Sequence, residues 1–226
     1  MSSFSCEAVL FDLDGVLVDS TACVSRIWAD WAREHGLDPN YVAHITHGQR
    51  TIETVRQVAP QLDARKETDR IEQQELNDTD GLRVLPGARE LLTALPPDRY
   101  TIVTSGTRRL ASKRLRAVGL AVPPQMVTAD DVTHGKPNPE PYLAGAKLLK
   151  QDPRKCLVFE DAPSGIRAAQ AAGMPVIALT TTYRREELPA AVAIAPSLAA
   201  VKARLQTSGE LLVTVESSAQ IECVER

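Results

Sequence analysis

Short apolar runs with little alternation recur along the chain, at AVLFD (8–12), YTIVTS (100–105), CLVFED (156–161) and PVIAL (175–179). A strand with one wet face alternates apolar and polar residues. Unbroken runs fit strands buried on both faces, as in a parallel sheet covered by helices. Between them the apolar positions take helical spacing, at GARELLTAL (87–95), RRLASKRLRAVG (108–119), PEPYLAGAKLLK (139–150) and APSGIRAAQAAG (162–173). Strand–helix alternation predicts an α/β fold with a Rossmann-like, doubly wound parallel sheet.

One stretch breaks the rhythm. From Asp19 to Arg83 the pattern offers no strand, only helical segments such as TACVSRIWADWAREHG and ARKETDRIEQQELND, and both tryptophans, Trp28 and Trp31, fall there. Alternation resumes at VLPGARELL. The expected organisation is therefore a core of residues 1–18 and 84–226, interrupted by an all-helical cap domain at 19–83. The tail GELLVTVESSAQIECVER has room for one or two edge strands and carries no recognisable chemistry.

Composition narrows the function classes. The 226 residues carry a net charge of −3, which gives no basic field for nucleic acid. No run approaches the roughly 18 consecutive apolar residues of a membrane span. The amino-terminal MSSFSCEAVLF has neither the basic start nor the long apolar stretch of a signal peptide, so a cytoplasmic location is expected. Cys6, Cys23, Cys156 and Cys223 are scattered without a CxxC pair, the pattern of reduced thiols. His44 and His47 stand three apart, but no matching Cys/His cluster supports a zinc site. Nothing in the sequence specifies an assembly, and a monomer is the default expectation.

In an open parallel sheet, ligands bind at the carboxyl ends of the strands. The residues at those ends form a coherent set. The first strand ends in Asp12-Leu13-Asp14-Gly15, a second in Thr104-Ser105-Gly106-Thr107, and a later one in Glu160-Asp161. The loop HGKPNPEPY brings Lys136. Residues i and i+2 of a strand leave on the same face, so Asp12 and Asp14 start in one direction. Four carboxylates gathered there repel one another unless a cation offsets them, and hard oxygen ligands favour Mg²⁺. Acids, a hydroxyl with backbone amides and a lysine together describe a phosphoryl-transfer site.

In that order, DLDGVLVDS, VTSGT, GKPNPEPYL and VFEDAPSGIRAAQAAGM resemble the four motifs of the haloacid dehalogenase-like phosphohydrolases, up to about Leu179. THGQRTIETVRQVAP and SGTRRLA are most similar to the glycerol-phosphate and 2-deoxyglucose-6-phosphate phosphatases of that family. A helical cap inserted after the first motif matches the family's subclass I arrangement. The resemblance implies Asp12 as the nucleophile that forms an aspartyl-phosphate, and Asp14 as the general acid and then base. It implies Ser105 and the Gly106 amide as holders of a phosphoryl oxygen, and Lys136 as the charge partner of Asp12 and phosphate. Mg²⁺ is implied at the Asp12 carboxylate, the Asp14 backbone carbonyl and Asp161, with Glu160 acting through water or by orienting other ligands. Asn138 is expected to line the site.

Dehalogenases of the family lack an acid at the position of Asp14, and phosphonate-cleaving members need a lysine early in the cap, where this chain offers only Lys66. Specificity is expected from the cap loop THGQRT, which would lower His47, Gly48, Gln49, Arg50 and Thr51 onto a small phosphorylated metabolite. Arg50 is offered there to a hydroxyl or to a second anionic group. The alternatives are a hexose phosphomutase of the same fold, with Arg50 on the far phosphate, and a receiver-like phospho-aspartate signalling domain. A receiver domain would leave both the cap and Asp14 unexplained.

Overall fold

The structure is a computed structural model and describes residues 1–189 and 191–216. In chain order the elements begin with β1 (Ser2–Cys6), β2 (Ala8–Phe11) and β3 (Val18–Asp19). Four helices follow, α1 (Thr21–Glu34), α2 (Pro39–Ile45), α3 (Thr51–Val58) and α4 (Ala64–Asn77). Next come β4 (Arg83–Val84), α5 (Ala88–Ala94), β5 (Tyr100–Ile102), α6 (Arg108–Ala117) and α7 (Glu140–Leu148). The chain continues with β6 (Cys156–Glu160), α8 (Pro163–Ala171), β7 (Val176–Leu179) and β8 (Ala193–Ala195). It closes with β9 (Val201–Leu205) and β10 (Leu211–Val215).

Five strands form a parallel sheet in the order β5–β2–β6–β7–β8. The unbroken apolar runs have the predicted cause, since successive side chains leave on opposite faces and both faces are covered. Val9, Phe11, Leu157, Phe159, Ile177 and Leu179 enter one apolar cluster. Their neighbours Ala8, Leu10, Cys156, Val158, Val176 and Ala178 enter another, with Tyr142 and Ala146 of α7 and Ile166 of α8. Phe11 and Phe159 stack at 5.3 Å across adjacent strands. Leucine-sized groups removed from such a core cost about 2–5 kcal/mol each, so this sandwich fixes the strand ends that carry the site.

The tail does more than the sequence suggested. β10 is the central strand of an antiparallel sheet, β1–β10–β9, and its alternating Leu211, Val213 and Val215 join the first cluster. β1 and β9 escaped the sequence pattern because SSFSC and VKARL are mostly polar or exposed. Residues 217–226, including Cys223 and the end of the predicted edge-strand region, lie outside the described residues. Cys6, Cys23 and Cys156 are free and buried.

Helices α1–α4 leave and rejoin the core through β3 and β4, which pair antiparallel with Val18 opposite Val84 and Asp19 opposite Arg83. They have an apolar cluster of their own, centred on Ile27, Trp28, Trp31, Val42, Val55 and Ile71. Helical spacing on α1 turns Val24, Ile27, Trp28 and Trp31 inward, and the two indoles meet edge to face at 5.4 Å. Asp38 and Asp63 cap α2 and α4, each accepting from two backbone amides of the first turn. Among the described residues no helix is long and apolar enough to cross a membrane.

Candidate active site

With β5 on one side of β2 and β6 on the other, the strand order reverses at β2, and a crevice opens beyond the carboxyl ends there. Asp12 follows β2, Thr104 and Ser105 follow β5, and Asp161 follows β6. The loop before α7 adds Lys136, which is fully buried. The Lys136 ammonium donates to Asp12 Oδ1, to Glu160 Oε1 at 2.7 Å and to the Val103 carbonyl at 3.1 Å. All three of its protons are therefore used. Glu160 is also saturated. Its Oε1 accepts from the Tyr142 hydroxyl at 2.8 Å, and its Oε2 from the Asp161 and Ala162 amides at 3.0 Å each. Glu160 thus fixes the lysine and the start of α8.

Burial dominates the titration here. It lifts the Asp12 carboxyl to about 7 against the pull of Lys136, and repulsion from Glu160 and Asp14 adds to the rise. For Lys136 burial favours the neutral amine, but Asp12 and Glu160 outweigh it and hold the pKa above the ordinary lysine value. Asp161 is pushed well above the usual carboxylate range by burial, then by Glu160 and Asp12. Its Oδ1 is buried without a hydrogen-bond partner, a defect worth about 1–3 kcal/mol if left unanswered. Carboxylate oxygens of Asp12, Glu160 and Asp161 lie within 4.8 Å of one another. Hard oxygens, an unanswered acceptor and surplus negative charge fit a small divalent cation such as Mg²⁺. Gly15 allows this approach: its φ is +85°, and a Cβ there would lie 1.9 Å from Asp161 Oδ2.

Asp14 faces the same cavity with partners the sequence did not suggest. Its Oδ1 accepts from the Ser20 hydroxyl and its Oδ2 from Arg114 Nη1, both at 2.7 Å. Arg114 is buried on α6, and its Nη2 lies 3.5 Å from Glu75 Oε1 on α4, also buried. A signal existed for both. On α6 the inward positions are Leu110, Ala111, Arg114 and Leu115, so an arginine occupies the apolar stripe. On α4 they include Glu67, Ile71 and Glu75, which puts two acids on the inner face.

Of the cap-loop residues, His47, Gly48, Gln49 and Thr51 line the cavity with Asp12, Asp14, Ser105 and Gly106. The Gly48 carbonyl accepts from Ser105 Oγ at 3.0 Å and Ser164 Oγ at 3.1 Å, which holds the cap loop down on the core. Only glycine suits this turn, at φ +78° with a Cβ position 2.5 Å from Ala162 Cβ. The Gly106 amide donates to Thr104 Oγ1 at 3.1 Å. His47 is driven down to about 4 by burial, opposed by Asp14 and helped by His44 and Arg114.

Two expected site residues are placed elsewhere. Arg50 turns out of the cavity and donates to the Val132 and Thr133 carbonyls of the core, at 3.3 and 2.9 Å, while pairing with Glu53. Backbone carbonyls on the opposing loop outcompete the cavity for its donors. Asn138 is exposed, and its side chain accepts from the Glu140 amide at the start of α7 instead of lining the cavity. The cavity itself is about 50 Å³. At about 10–15 Å³ per water it holds a few waters.

Comparison with known proteins agrees with this architecture. The model of the family described as "Haloacid dehalogenase-like hydrolase" matches residues 9–179. Hexitol phosphatase A of Escherichia coli is 39% identical over 213 residues, covering 92% of this chain and 99% of that protein. Glycerol-1-phosphate phosphohydrolase 2 of Saccharomyces cerevisiae is 37% identical, with 80% and 77% covered. A crystal structure of a hydrolase from Pseudomonas syringae superposes with a TM-score of 0.73 at 26% identity, covering 85% of this chain and 94% of that one. From the sheet order, the four strand-end motifs and these matches together, the chain belongs to the haloacid dehalogenase-like hydrolases.

Proposed function

We propose that this enzyme is a Mg²⁺-dependent phosphatase that hydrolyses small polyol or sugar phosphates through an aspartyl-phosphate on Asp12. The observation that carries the proposal is Asp12 and Asp14 on one small cavity with Ser105, backed by the buried Lys136. Relatives at 39% and 37% identity are named for phosphatase activity on hexitol and glycerol phosphates.

In the first step an Asp12 carboxylate oxygen bonds to phosphorus, the ester P–O bond breaks, and Asp14 gives its proton to the departing alkoxide. In the second, Asp14 takes a proton from water as the water oxygen attacks phosphorus. The Asp12–phosphorus link breaks, phosphate leaves, and Asp14 is again protonated for the next turnover. Ser105 Oγ exchanges the Gly48 carbonyl, and the Gly106 amide exchanges Thr104 Oγ1, for phosphoryl oxygens when substrate binds. Lys136 keeps Asp12 aimed and offsets charge on the phosphoryl group. The cation site comprises the Asp12 and Asp161 carboxylates and the Asp14 backbone carbonyl, and bound Mg²⁺ supplies positive charge that offsets carboxylate–phosphate repulsion. Residues 19–83 form the cap, and 1–18 with 84–226 form the catalytic core.

A screen of phosphorylated metabolites for phosphate release, with Mg²⁺ present, tests this. Turnover on polyol or sugar phosphates is expected. Isomerised product without free phosphate would point to a mutase, and a persistent phospho-aspartate without turnover to a signalling domain.

A further inference from the structure

The walls of the cavity carry an ion pair that the two hydrolytic steps do not consume. Arg114 Nη2 is buried and has no hydrogen-bond partner, while Nη1 of the same guanidinium is held by Asp14. Glu75 Oε1 lies 3.5 Å from that nitrogen, too far to satisfy it as a hydrogen bond. Both side chains line the same cavity as Asp12 and Ser105. A buried donor and a buried acceptor thus stand side by side without answering one another well. Nη2 is worth satisfying, because an unpaired buried polar group costs more than a single hydrogen bond normally returns.

Charge decides what can answer them. Glu75 Oε1 stands 3.5 Å from Nη2, so an anion that took this donor would lie against the Glu75 carboxylate. The cap loop supplies no charge to this wall. Arg50 is spent on Val132, Thr133 and Glu53, and His47 is uncharged at neutral pH because burial holds it near 4. A hydroxyl donates and accepts at once, so it bridges Nη2 and Oε1. A carboxylate or second phosphate offers only acceptors, so it leaves Oε1 without a donor and lies against the Glu75 carboxylate.

Building on the phosphatase assignment, we propose that Glu75 and Arg114 read a hydroxyl of an uncharged leaving group, and that the same pair turns away esters bearing a second anionic group. The cap contributes Glu75 and the core contributes Arg114, so the reading surface is complete only when the two are closed together. Selectivity is thereby tied to the arrangement in which Asp14 is positioned.

The test compares racemic glycerol 1-phosphate with 3-phosphoglycerate, which replaces the terminal hydroxymethyl by a carboxylate, and with propyl phosphate, which has neither. Wild-type kcat/KM should fall in the order glycerol 1-phosphate, propyl phosphate, 3-phosphoglycerate. Glu75→Gln should shrink the ratio of glycerol 1-phosphate to 3-phosphoglycerate by about tenfold, through loss on the first and gain on the second. Equal wild-type rates on these two esters would overturn the proposal without any variant. A Glu75→Gln enzyme that is slower by one factor on all three would also overturn it, assigning Glu75 to packing. If the wild type released no phosphate from any of the three or from hexitol phosphates, the phosphatase assignment itself would fail and take this one with it.

Discussion

At the scale of single residues, the two aspartates of DLDG differ by their surroundings. Asp12 is locked to Lys136, while Asp14 is held by Ser20 and Arg114. Asp12→Asn should abolish turnover, because an amide oxygen is a poor nucleophile. Asp14→Asn should leave attack possible and remove leaving-group protonation, costing about a hundredfold or more in kcat on an alkyl phosphate. Near-normal kcat in either variant would refute the assignment. His47 supplies a stability prediction. Its folded pKa, about 4, lies below its ordinary 6.5, so the unfolded chain takes up the proton first as pH falls. The stability it contributes is complete above pH 6.5 and is lost toward pH 4, at up to about 1.4 kcal/mol per pH unit. Denaturant unfolding at pH 7 and 4.5 should therefore show a smaller difference for His47→Asn than for wild type. Arg50, reassigned from substrate to the Val132–Thr133 loop, makes a different prediction. Arg50→Ala should slow polyol phosphates and p-nitrophenyl phosphate by a similar factor, a few-fold to about tenfold. A change in substrate ranking instead would return Arg50 to the cavity.

At the scale of elements, legibility followed burial. Four parallel strands, β2, β5, β6 and β7, and the helices around them were readable because both faces of the sheet are apolar and the helical stripes are regular, whereas the three-residue, half-buried edge strand β8 was not. β1 and β9 were not, since their stability comes from pairing with β10 more than from their own composition. Asp12, Ser105 and Asp161 stood out because each comes shortly after a recognisable strand, while Lys136 comes from the loop before α7. Arg114 and Glu75 were missed because a charged residue on a helix normally reads as solvent-facing, and only the exact phase of the stripe turns these two inward. Asn138 and Arg50 were misplaced because spacing fixes where a loop lies but leaves open which carbonyl or amide captures a side chain. The loop between α2 and α3 carries its own test. Gly48→Ala adds a left-handed strain of about 1–2 kcal/mol and a clash with Ala162. It should lower kcat/KM on every substrate alike and raise hydrogen exchange at Ser105 and Gly106. Selective loss on one substrate class would show that the loop recognises the leaving group directly through Gly48.

At the scale of the whole molecule, the sheet gathers Asp12, Ser105, Lys136 and Asp161 from four separate segments, and the inserted helices close over them. EDTA should silence the enzyme and added Mg²⁺ restore it, whereas Ca²⁺, with its looser coordination, should inhibit. Full activity after exhaustive chelation would rule out the cation. The two-residue pairing of β3 with β4 bears on how such a molecule diversifies. Val18 and Val84 are partners in that ladder, so the two cut ends of the helical insertion are neighbours, within about 5 Å in an antiparallel pair. The insertion therefore behaves as a graft on a stem. It can be lengthened, exchanged or replaced by a tight Asn-Gly turn without changing the span that the core must bridge. Hydrolytic chemistry and substrate choice can thus drift independently, apart from contacts such as Arg114 with Glu75 that cross the junction and must change on both sides together.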